Sequence, residues 1–262
     1  MKHSILFLLL LSSKATALPK EEILLKVGEK LESLINSQNW SQYVERHPNG
    51  FPANFEQSPV HVSVEAEDLE VNKESFTLGW GFQQIFIKAP TEIVISWLTN
   101  PSAFQSIYDL DGSSHPSSNV NPLNFVARIF KKVPVLADQD YSLAYTVSKS
   151  GPVWFQRAKL VKDETDFALR DNLKSVVAVN GGTLYREISM VYVLNWFVRM
   201  MGPTARKVMK DEITKTAKSM KCIFESRSPL SERNIQSVSK QCWDLVGSEI
   251  NKKGSANSAK PF

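Results

Sequence analysis

The sequence has 262 residues, of which 42% are hydrophobic and 22% charged, an ordinary composition for a globular protein. This length favours one domain with additions, or at most two small domains. The formal net charge is +4, and it falls to +2 without residues 1–17, which contain two lysines and no acid. A charge this small gives no electrostatic reason to expect nucleic-acid binding.

The first 17 residues predict a secretory signal. A basic start precedes an apolar run from Ile5 to Leu11, and Ala15-Thr16-Ala17 has the small-x-small pattern of a cleavage site. The run is too short for a membrane span, which needs about 20 apolar residues. A short apolar core is typical of bacterial export, so we expect the mature chain in the periplasm or outside the cell.

The next part of the chain mixes helices and strands. A helix is predicted over residues 20–36, where apolar residues recur at helical spacing. Period-two alternation then predicts strands over residues 60–66 and 74–87. Two short helices follow, one beginning near Pro90 and one at Phe104.

The middle of the chain predicts a run of strands with no helix between them, which indicates an antiparallel sheet rather than a parallel nucleotide-binding one. The sequence contains no GxGxxG or P-loop pattern to contradict this. Asn180-Gly181-Gly182 predicts a hairpin turn. The predicted strands lie at 124–133, within 133–147, and at 152–161, 166–170, 174–180 and 183–194.

After Gly202-Pro203 the spacing becomes helical and predicts one long amphipathic helix that extends to about residue 224. The main domain is therefore expected at residues 18–226. A further helix packed on this domain is expected at residues 227–250, and a disordered tail is expected at 251–262.

The two cysteines, Cys222 and Cys242, lie on these last two helices. In an oxidising compartment an even pair is more often bridged than free. We therefore expect a disulfide that fastens the last helix to the outside of the long one. On the chain-entropy model, a bridged loop of this length contributes about 3 kcal/mol to stability.

Several segments between about residue 40 and residue 224 resemble the START lipid-transfer domains and their helix-grip relatives. APTEIVISWLTNPSAFQSIYD resembles the passage from a strand ending in Ala-Pro into a helix. VPVLADQDYSLAYTV resembles the strand that a Pro and an acidic turn introduce. GGTLYREISMVYVLNWFVRMMG, followed by a long helix, resembles the closing strand and C-terminal helix. Trp40 begins a further motif-like segment ahead of the first strand.

This resemblance implies an α+β helix-grip fold, in which a curved antiparallel sheet wraps around a long C-terminal helix. It also implies that one hydrophobic molecule, such as a sterol, a phospholipid or a fatty acyl compound, binds in a cavity between sheet and helix, for lipid transport or sequestration. One departure is Gln139-Asp140, where the family often has Arg-Asp. A contact that this Arg makes in relatives is therefore not carried over.

The face of the long helix from Val208 to Met220 is the expected lid of the cavity, and methionines there suit a pocket that adapts to a lipid chain. Large strand residues of one parity are the expected walls, since Tyr and Trp offer a polar group beside apolar area. The predicted wall residues are Tyr145, Trp154, Met190 and Tyr192, and the predicted lid residues are Val208, Met209, Ile213 and Met220. The alternative is that all of these pack a solid core.

Charged residues leave two further possibilities open. Arg128 and Arg157 lie within predicted strands and are expected to face solvent, although an inward one would suit a phosphate or carboxylate. Residues 196–227 hold eight Lys or Arg against three acids. This basic face suggests that the long helix rests transiently on an anionic membrane while lipid enters or leaves, and an ordinary soluble helix face is the alternative.

An enzyme acting on a hydrophobic substrate, of the cyclase or hydrolase kind found among helix-grip relatives, is the alternative function. His115 lies in a loop with Asp109 and Asp111, which offers an acid/base pair, although a solvated loop is the simpler interpretation. The sequence has no GxSxG motif and no His or Cys set at metal-ligand spacing. We therefore predict no catalytic residue, metal or cofactor.

Overall fold

The structure is a computed structural model that describes residues 25, 29, 54–71, 74–114, 123–132, 139–163, 168–193, 202–226 and 230–258. Leu25 and Glu29 are helical and lie in the segment where the sequence predicts a helix. The predicted secretory signal, Trp40 and His115 lie outside the described residues.

Eight strands form one antiparallel sheet in the order β1-β2-β8-β7-β6-β5-β4-β3. Strands β3 to β8 follow one another both along the chain and across the sheet, and the pairing of β2 with β8 adds the first two strands. The strands are β1 Val60–Val71, β2 Glu74–Ile87, β3 Gly112–Ser114, β4 Asn124–Lys131, β5 Gln139–Ser150, β6 Val153–Asp163, β7 Ala168–Val179 and β8 Gly182–Val193.

The helices whose bounds the structure describes occupy two places in the chain. Two short ones connect β2 to β3, and two long ones follow β8. The helices are α1 Thr91–Leu98, α2 Phe104–Ile107, α3 Gly202–Phe224 and α4 Ile235–Ser258. A 3-10 turn at Pro101–Ala103 separates α1 from α2, and the Asn100 side chain caps it by accepting a hydrogen bond from the backbone N–H of Ser102 at 3.1 Å. No helix in the described part of the chain is long and apolar enough to cross a membrane.

The sheet curves around α3. Gly81 of β2 packs against Ile213 of α3, and Lys131 at the end of β4 lies 3.4 Å from the carboxylate of the adjacent Glu212. In a flat sheet, β2 and β4 would lie about 24 Å apart, because neighbouring strands are about 4.8 Å apart. A helix is only about 10–12 Å wide with its side chains. The sheet therefore has a concave face toward α3, as the predicted α+β helix-grip architecture requires.

A hydrophobic core fills the end of this interior nearest the C-terminus of α3. Buried residues of α1, α3 and α4 pack there against residues of β2, β7 and β8. The α3 end is also fastened to β2, since the ammonium of Lys221 donates to the carbonyl oxygen of Phe86 at 2.7 Å. The core includes Ile85, Val176, Tyr185, Ala217, Met220, Ile223 and Trp243. This end of the molecule is therefore solid.

The predicted disulfide is confirmed. Cys222 of α3 and Cys242 of α4 are bridged, with their Cα atoms 5.7 Å apart. Lys218 of α3 also lies 3.8 Å from the carboxylate of Glu249 on α4. The last helix is thus fastened to α3 by a covalent bond and an ionic contact.

Several predicted element bounds differ from the structure, and β7 and α4 give two examples. The strands predicted at 166–170 and 174–180 are one continuous strand, β7, because Asp171 in its middle is held by Arg157 of the neighbouring β6. Helix α4 runs to Ser258, so that much of the tail predicted as disordered is helical. The predicted strand at 74–87 has the same bounds as β2.

Candidate ligand-binding interior

A row of four polar side chains crosses the concave face of the sheet. The strand register places Gln83 of β2, Glu187 of β8, Lys174 of β7 and Gln156 of β6 directly opposite one another in turn. Each is at most 5% exposed. We call these four residues the polar row. Buried polar and charged groups are costly unless they are hydrogen-bonded, so their contacts decide what the row can do.

Glu187 accepts hydrogen bonds from three side chains. Its carboxylate receives the amide N–H of Gln83 and the hydroxyl of Tyr185, and the hydroxyl of Ser189 donates to it at 3.2 Å. These donors lie on β8 and on the adjacent β2, so the sheet itself holds the carboxylate in place. Hydrogen bonds to the ionised form of a carboxylate stabilise its negative charge inside a protein.

Lys174 lies directly opposite Glu187 and is held mainly by aromatic side chains. Its ammonium donates to the hydroxyl of Tyr108 at 2.8 Å. The same nitrogen lies 4.8 Å from the ring centroid of Tyr108 and 5.9 Å from that of Tyr145. A cation over an aromatic face is stabilised by the ring quadrupole, and more strongly where water is excluded. The formal charges of the opposed Lys174 and Glu187 cancel.

The tyrosines around the row are held in their neutral form. Burial raises the pKa of Tyr108 and of Tyr185 well above the usual phenol value, and the nearby carboxylate of Glu187 raises it further. Burial also raises the pKa of Tyr145, although the charge of Lys174 opposes that shift. These hydroxyls therefore keep their protons at neutral pH and can act as hydrogen-bond donors.

A second row, beside the polar row, is made of small side chains. In register across the same four strands lie Gly81, Ser189, Asn172 and Ala158, which we call the small row. The small row ends at Tyr145 of β5, whose ring stacks on Phe125 of β4 with centroids 4.7 Å apart. The concave face thus combines a polar floor, a strip of small residues and an aromatic wall.

Helix α3 closes this interior from one side. Its backbone packs against β1 and β2, and in the described part of the chain it has no comparable contact with β5 to β8. Met209 and Ile213 lie over Gly81, where the lack of a side chain permits the close approach. The sheet therefore recedes from the helix at its centre, where the polar row and the small row lie.

Comparisons with known proteins concern the fold. No protein-family model matches the sequence, and the search of curated proteins found no match. Solved structures similar to this chain include a STAR-related lipid transfer protein from Xanthomonas axonopodis, which is 13% identical, with a TM-score of 0.40 over 57% of this chain and 93% of that one.

Two further similar structures belong to different kinds of protein. A START superfamily protein from Mycobacterium smegmatis is 15% identical, with a TM-score of 0.44 over 57% of this chain and 99% of that one. The Zhui aromatase/cyclase from a Streptomyces species is 9% identical, with a TM-score of 0.40 over 63% of this chain and 93% of that one.

The predicted wall residues lie on both faces of the sheet. Tyr145 and Trp154 lie on the concave face, in register with the small row and with Tyr185 respectively. Met190 is buried but lies on the convex face, opposite Trp80 and Asp171. The prediction that Met190 lines the same wall as Tyr145 and Trp154 is therefore corrected. The side chain of Tyr192 lies outside the described residues.

The predicted lid residues also separate. Met209 and Ile213 cover the small row at Gly81, whereas Met220 is fully buried in the solid core. Val208 is 39% exposed and faces solvent, so it is not part of the lid. The part of α3 that can cover a ligand is therefore its middle, from Met209 to Ile213.

The predicted arginines point away from the interior. Arg128 pairs with Asp140 through two hydrogen bonds of 2.8 and 2.6 Å on the exposed face. Arg157 pairs with Asp171 at 3.0 Å on the convex face. Asp140 belongs to the Gln139-Asp140 pair, which stands where the family often has Arg-Asp. Its positive partner here is Arg128 of β4.

The basic face of α3 is partly occupied. Lys218 and Lys221 pair with Glu249 and Glu225, and Lys215 lies 3.9 Å from Asp109. The exposed cations that remain in the described part of α3 are Arg206, Lys207 and Lys210, next to Val208.

Two acids lie near His115 in the sequence. Asp109 has Lys215 as its neighbour, and Asp111 accepts a hydrogen bond from the backbone N–H of Lys132 at 2.6 Å. Both acids thus have structural partners. Within the described residues, no group of three or more His, Cys, Asp or Glu could hold a metal ion.

Sequence reasoning missed the polar row. Lys174 has the same parity as Val176 in its strand, and Glu187 has the same parity as Tyr185, so each places a charge beside an apolar residue on one face, which is a usable signal for a buried functional charge. Their direct opposition depends on the register between β7 and β8, which the hairpin turn at Asn180-Gly181 sets.

Proposed function

We propose that the protein binds one hydrophobic molecule in the interior between the concave face of the sheet and α3, and that it transports or sequesters this molecule. The observation that carries the proposal is the polar row lying beside the small row under a helix whose backbone, in the described part of the chain, packs closely against β1 and β2 alone among the strands. A solid hydrophobic core would instead place large apolar side chains there.

Two features of the interior support a ligand with a long apolar part. Tyr145, Phe125 and Phe104 form an aromatic cluster, with the Phe104 and Tyr145 rings 5.0 Å apart. Met209 and Ile213 supply a flexible apolar cover. The solid core at the other end of α3 gives the fold stability that does not depend on the ligand.

The experiment is native mass spectrometry of the full chain purified from its own host, followed by extraction and identification of the bound molecule. We expect a one-to-one complex whose extra mass is a lipid-like compound released unchanged. Protein that carries no ligand and takes up none from a mixed lipid extract would contradict the proposal. A compound returned in chemically altered form would instead favour the enzymatic alternative.

A matched pair of variants tests the location. Ala158→Phe fills the small row, whereas Ala144→Phe makes the same change on the convex face of the adjacent β5. We expect the first variant to lose ligand and the second to keep it, with circular dichroism verifying that both are folded. Equal ligand content in the two folded variants would place the site elsewhere.

For delivery, we propose that the exposed basic start of the described α3 contacts an anionic membrane. Arg206, Lys207 and Lys210 flank the exposed Val208, which is the arrangement of a weak interfacial helix. Co-sedimentation with vesicles of anionic lipid should occur at low salt and weaken at high salt. Vesicles that leave the protein in the supernatant at low salt would refute this contact.

A further inference from the structure

The two glutamines of the polar row have amide orientations fixed by their partners. Gln83 faces the carboxylate of Glu187, which only accepts, so its amide nitrogen must point there. Gln156 donates its amide N–H to the carbonyl oxygen of Leu98 at 2.8 Å, which fixes it in the same way. The carbonyl oxygen of each side chain is thereby the atom left for another partner.

Both of these oxygens are buried without a hydrogen bond in the described structure. Oε1 of Gln83 and Oε1 of Gln156 are shielded from solvent and have no partner among the described residues. An unsatisfied buried acceptor is destabilising, and native proteins contain few of them. These two oxygens, at opposite ends of one polar row, are acceptors that a donor on a bound molecule could satisfy.

The charges around these oxygens disfavour a negative ligand. The row already holds the carboxylate of Glu187 between the two unsatisfied oxygens, and its one cation, Lys174, contacts Tyr108 and Tyr145. A carboxylate or phosphate brings acceptors only, and it would lose its hydration without gaining a bidentate cation. Arg128 and Arg157, which could have supplied one, are paired on the other face.

A hydroxyl group offers the hydrogen-bond donor that these oxygens lack and carries no negative charge. Its O–H can donate to the carbonyl oxygen of Gln83 or Gln156. Beside Gln156, the neighbour of Lys174 in the row, its oxygen can also accept from the ammonium of Lys174, which has donor capacity left beyond its bond to Tyr108. Such a group is neutral, so it adds no charge to a row whose formal charges cancel.

We propose that the interior selects uncharged hydrophobic alcohols, long-chain or sterol-like, over fatty-acid anions and phosphate-bearing lipids of the same size. This rests on the proposed function, because it names the class of molecule that the same interior takes. Gln83 and Gln156 are then specificity-determining residues.

The test compares three probes with one chain length: hexadecanol, hexadecanoate and hexadecyl phosphate, each added to delipidated full-length protein at pH 8. Binding is measured by displacement of a fluorescent apolar probe and verified by native mass spectrometry. We expect hexadecanol to bind at least tenfold more tightly than either anion. Cholesterol, measured beside hexadecanol, tells whether a ring system or a chain is preferred among alcohols.

Variants of the glutamines test the residues. Gln156→Met and Gln83→Met keep the side-chain size and remove the amide with its acceptor oxygen. The variant of the glutamine that accepts from the hydroxyl should weaken hexadecanol binding about fivefold while leaving hexadecanoate unchanged. Gln241→Met, on the exposed side of α4, is the matched control and should change neither. If a variant does not fold, the comparison of the three probes on the wild-type protein still tests the proposal.

The outcomes separate the two proposals. Anions that bind as tightly as the alcohol, or more tightly, would overturn the selection for alcohols while leaving the binding function intact. Binding of none of the probes, cholesterol included, would overturn both.

Discussion

The close packing of α3 on β2 makes Gly81 a sensitive position. A Cβ built there would lie 2.6 Å from Cδ1 of Ile213 and 3.3 Å from Cε of Met209. Carbon atoms in ordinary contact are about 3.5–4.0 Å apart, so Gly81→Ala must displace the Ile213 side chain. Overpacking of this kind costs about 1–3 kcal/mol, and the lower entropy of the unfolded Ala chain offsets about 0.5 kcal/mol of it. We expect the variant to lose about 1–2 kcal/mol in the free energy of unfolding.

A double-mutant cycle shows whether the contact is the cause. Ile213→Val removes the Cδ1 atom and alone should cost about 0.5–1.5 kcal/mol. Combined with Gly81→Ala, it should cost less than the sum of the single changes by about 1 kcal/mol. Urea unfolding followed by circular dichroism measures all four proteins.

The control for this cycle is Gly247→Ala on α4, where a Cβ meets only Cε of Lys215 at 3.8 Å. It should not destabilise, since Ala is a better helix former than Gly. Additivity of the two changes within about 0.5 kcal/mol would refute the packing of Ile213 on Gly81.

Three further predictions concern covalent and ionic contacts. Replacing Cys222 and Cys242 with Ser should lower the free energy of unfolding by about 3 kcal/mol, and an unchanged urea midpoint would contradict the role of the bridge. Burial raises the pKa of Asp171 to about 6 despite Arg157. An unfolded Asp titrates near about 3.9, so the folded state holds this proton more tightly, and the associated stability is present below about pH 4 and is lost as the pH rises through 6. Asp171→Asn should remove that dependence, at most about 3 kcal/mol, seen as the wild-type minus variant difference in urea unfolding between pH 4 and 7. Arg128→Ala should change the thermal stability by less than about 1 kcal/mol, because its pair with Asp140 is exposed; a larger loss would show that the pair is structural.

Much of the fold follows from local pattern. The alternation in ESFTLGWGFQQIFI is strong enough that the predicted strand and β2 coincide, and the helical spacing after Gly202 identifies α3. The split prediction for β7 failed because Asp171 is unfavourable in a strand by propensity. Its partner Arg157 lies on another strand, and that contact is invisible before the register is known.

The site required register as well as pattern. Parity separates the two faces within one strand, but it does not say which faces of different strands coincide. Tyr145 and Met190 therefore looked alike in the sequence and lie on opposite faces. The polar row is likewise a product of pairing, since Lys174 and Glu187 are 13 positions apart and meet only because the hairpin between them is tight.

The two ends of the sheet have a consequence for self-association. An exposed edge strand offers unpaired backbone groups to a second chain, and proteins counter this with short or charged edges. Here one edge is β3, which has only three residues, and the other is β1, whose sequence VHVSVEAEDLEV carries four acids between Glu65 and Glu70. Two copies meeting along β1 in parallel register would bring these carboxylates opposite one another. The protein can thus keep a long, curved and partly open sheet without offering a template for aggregation.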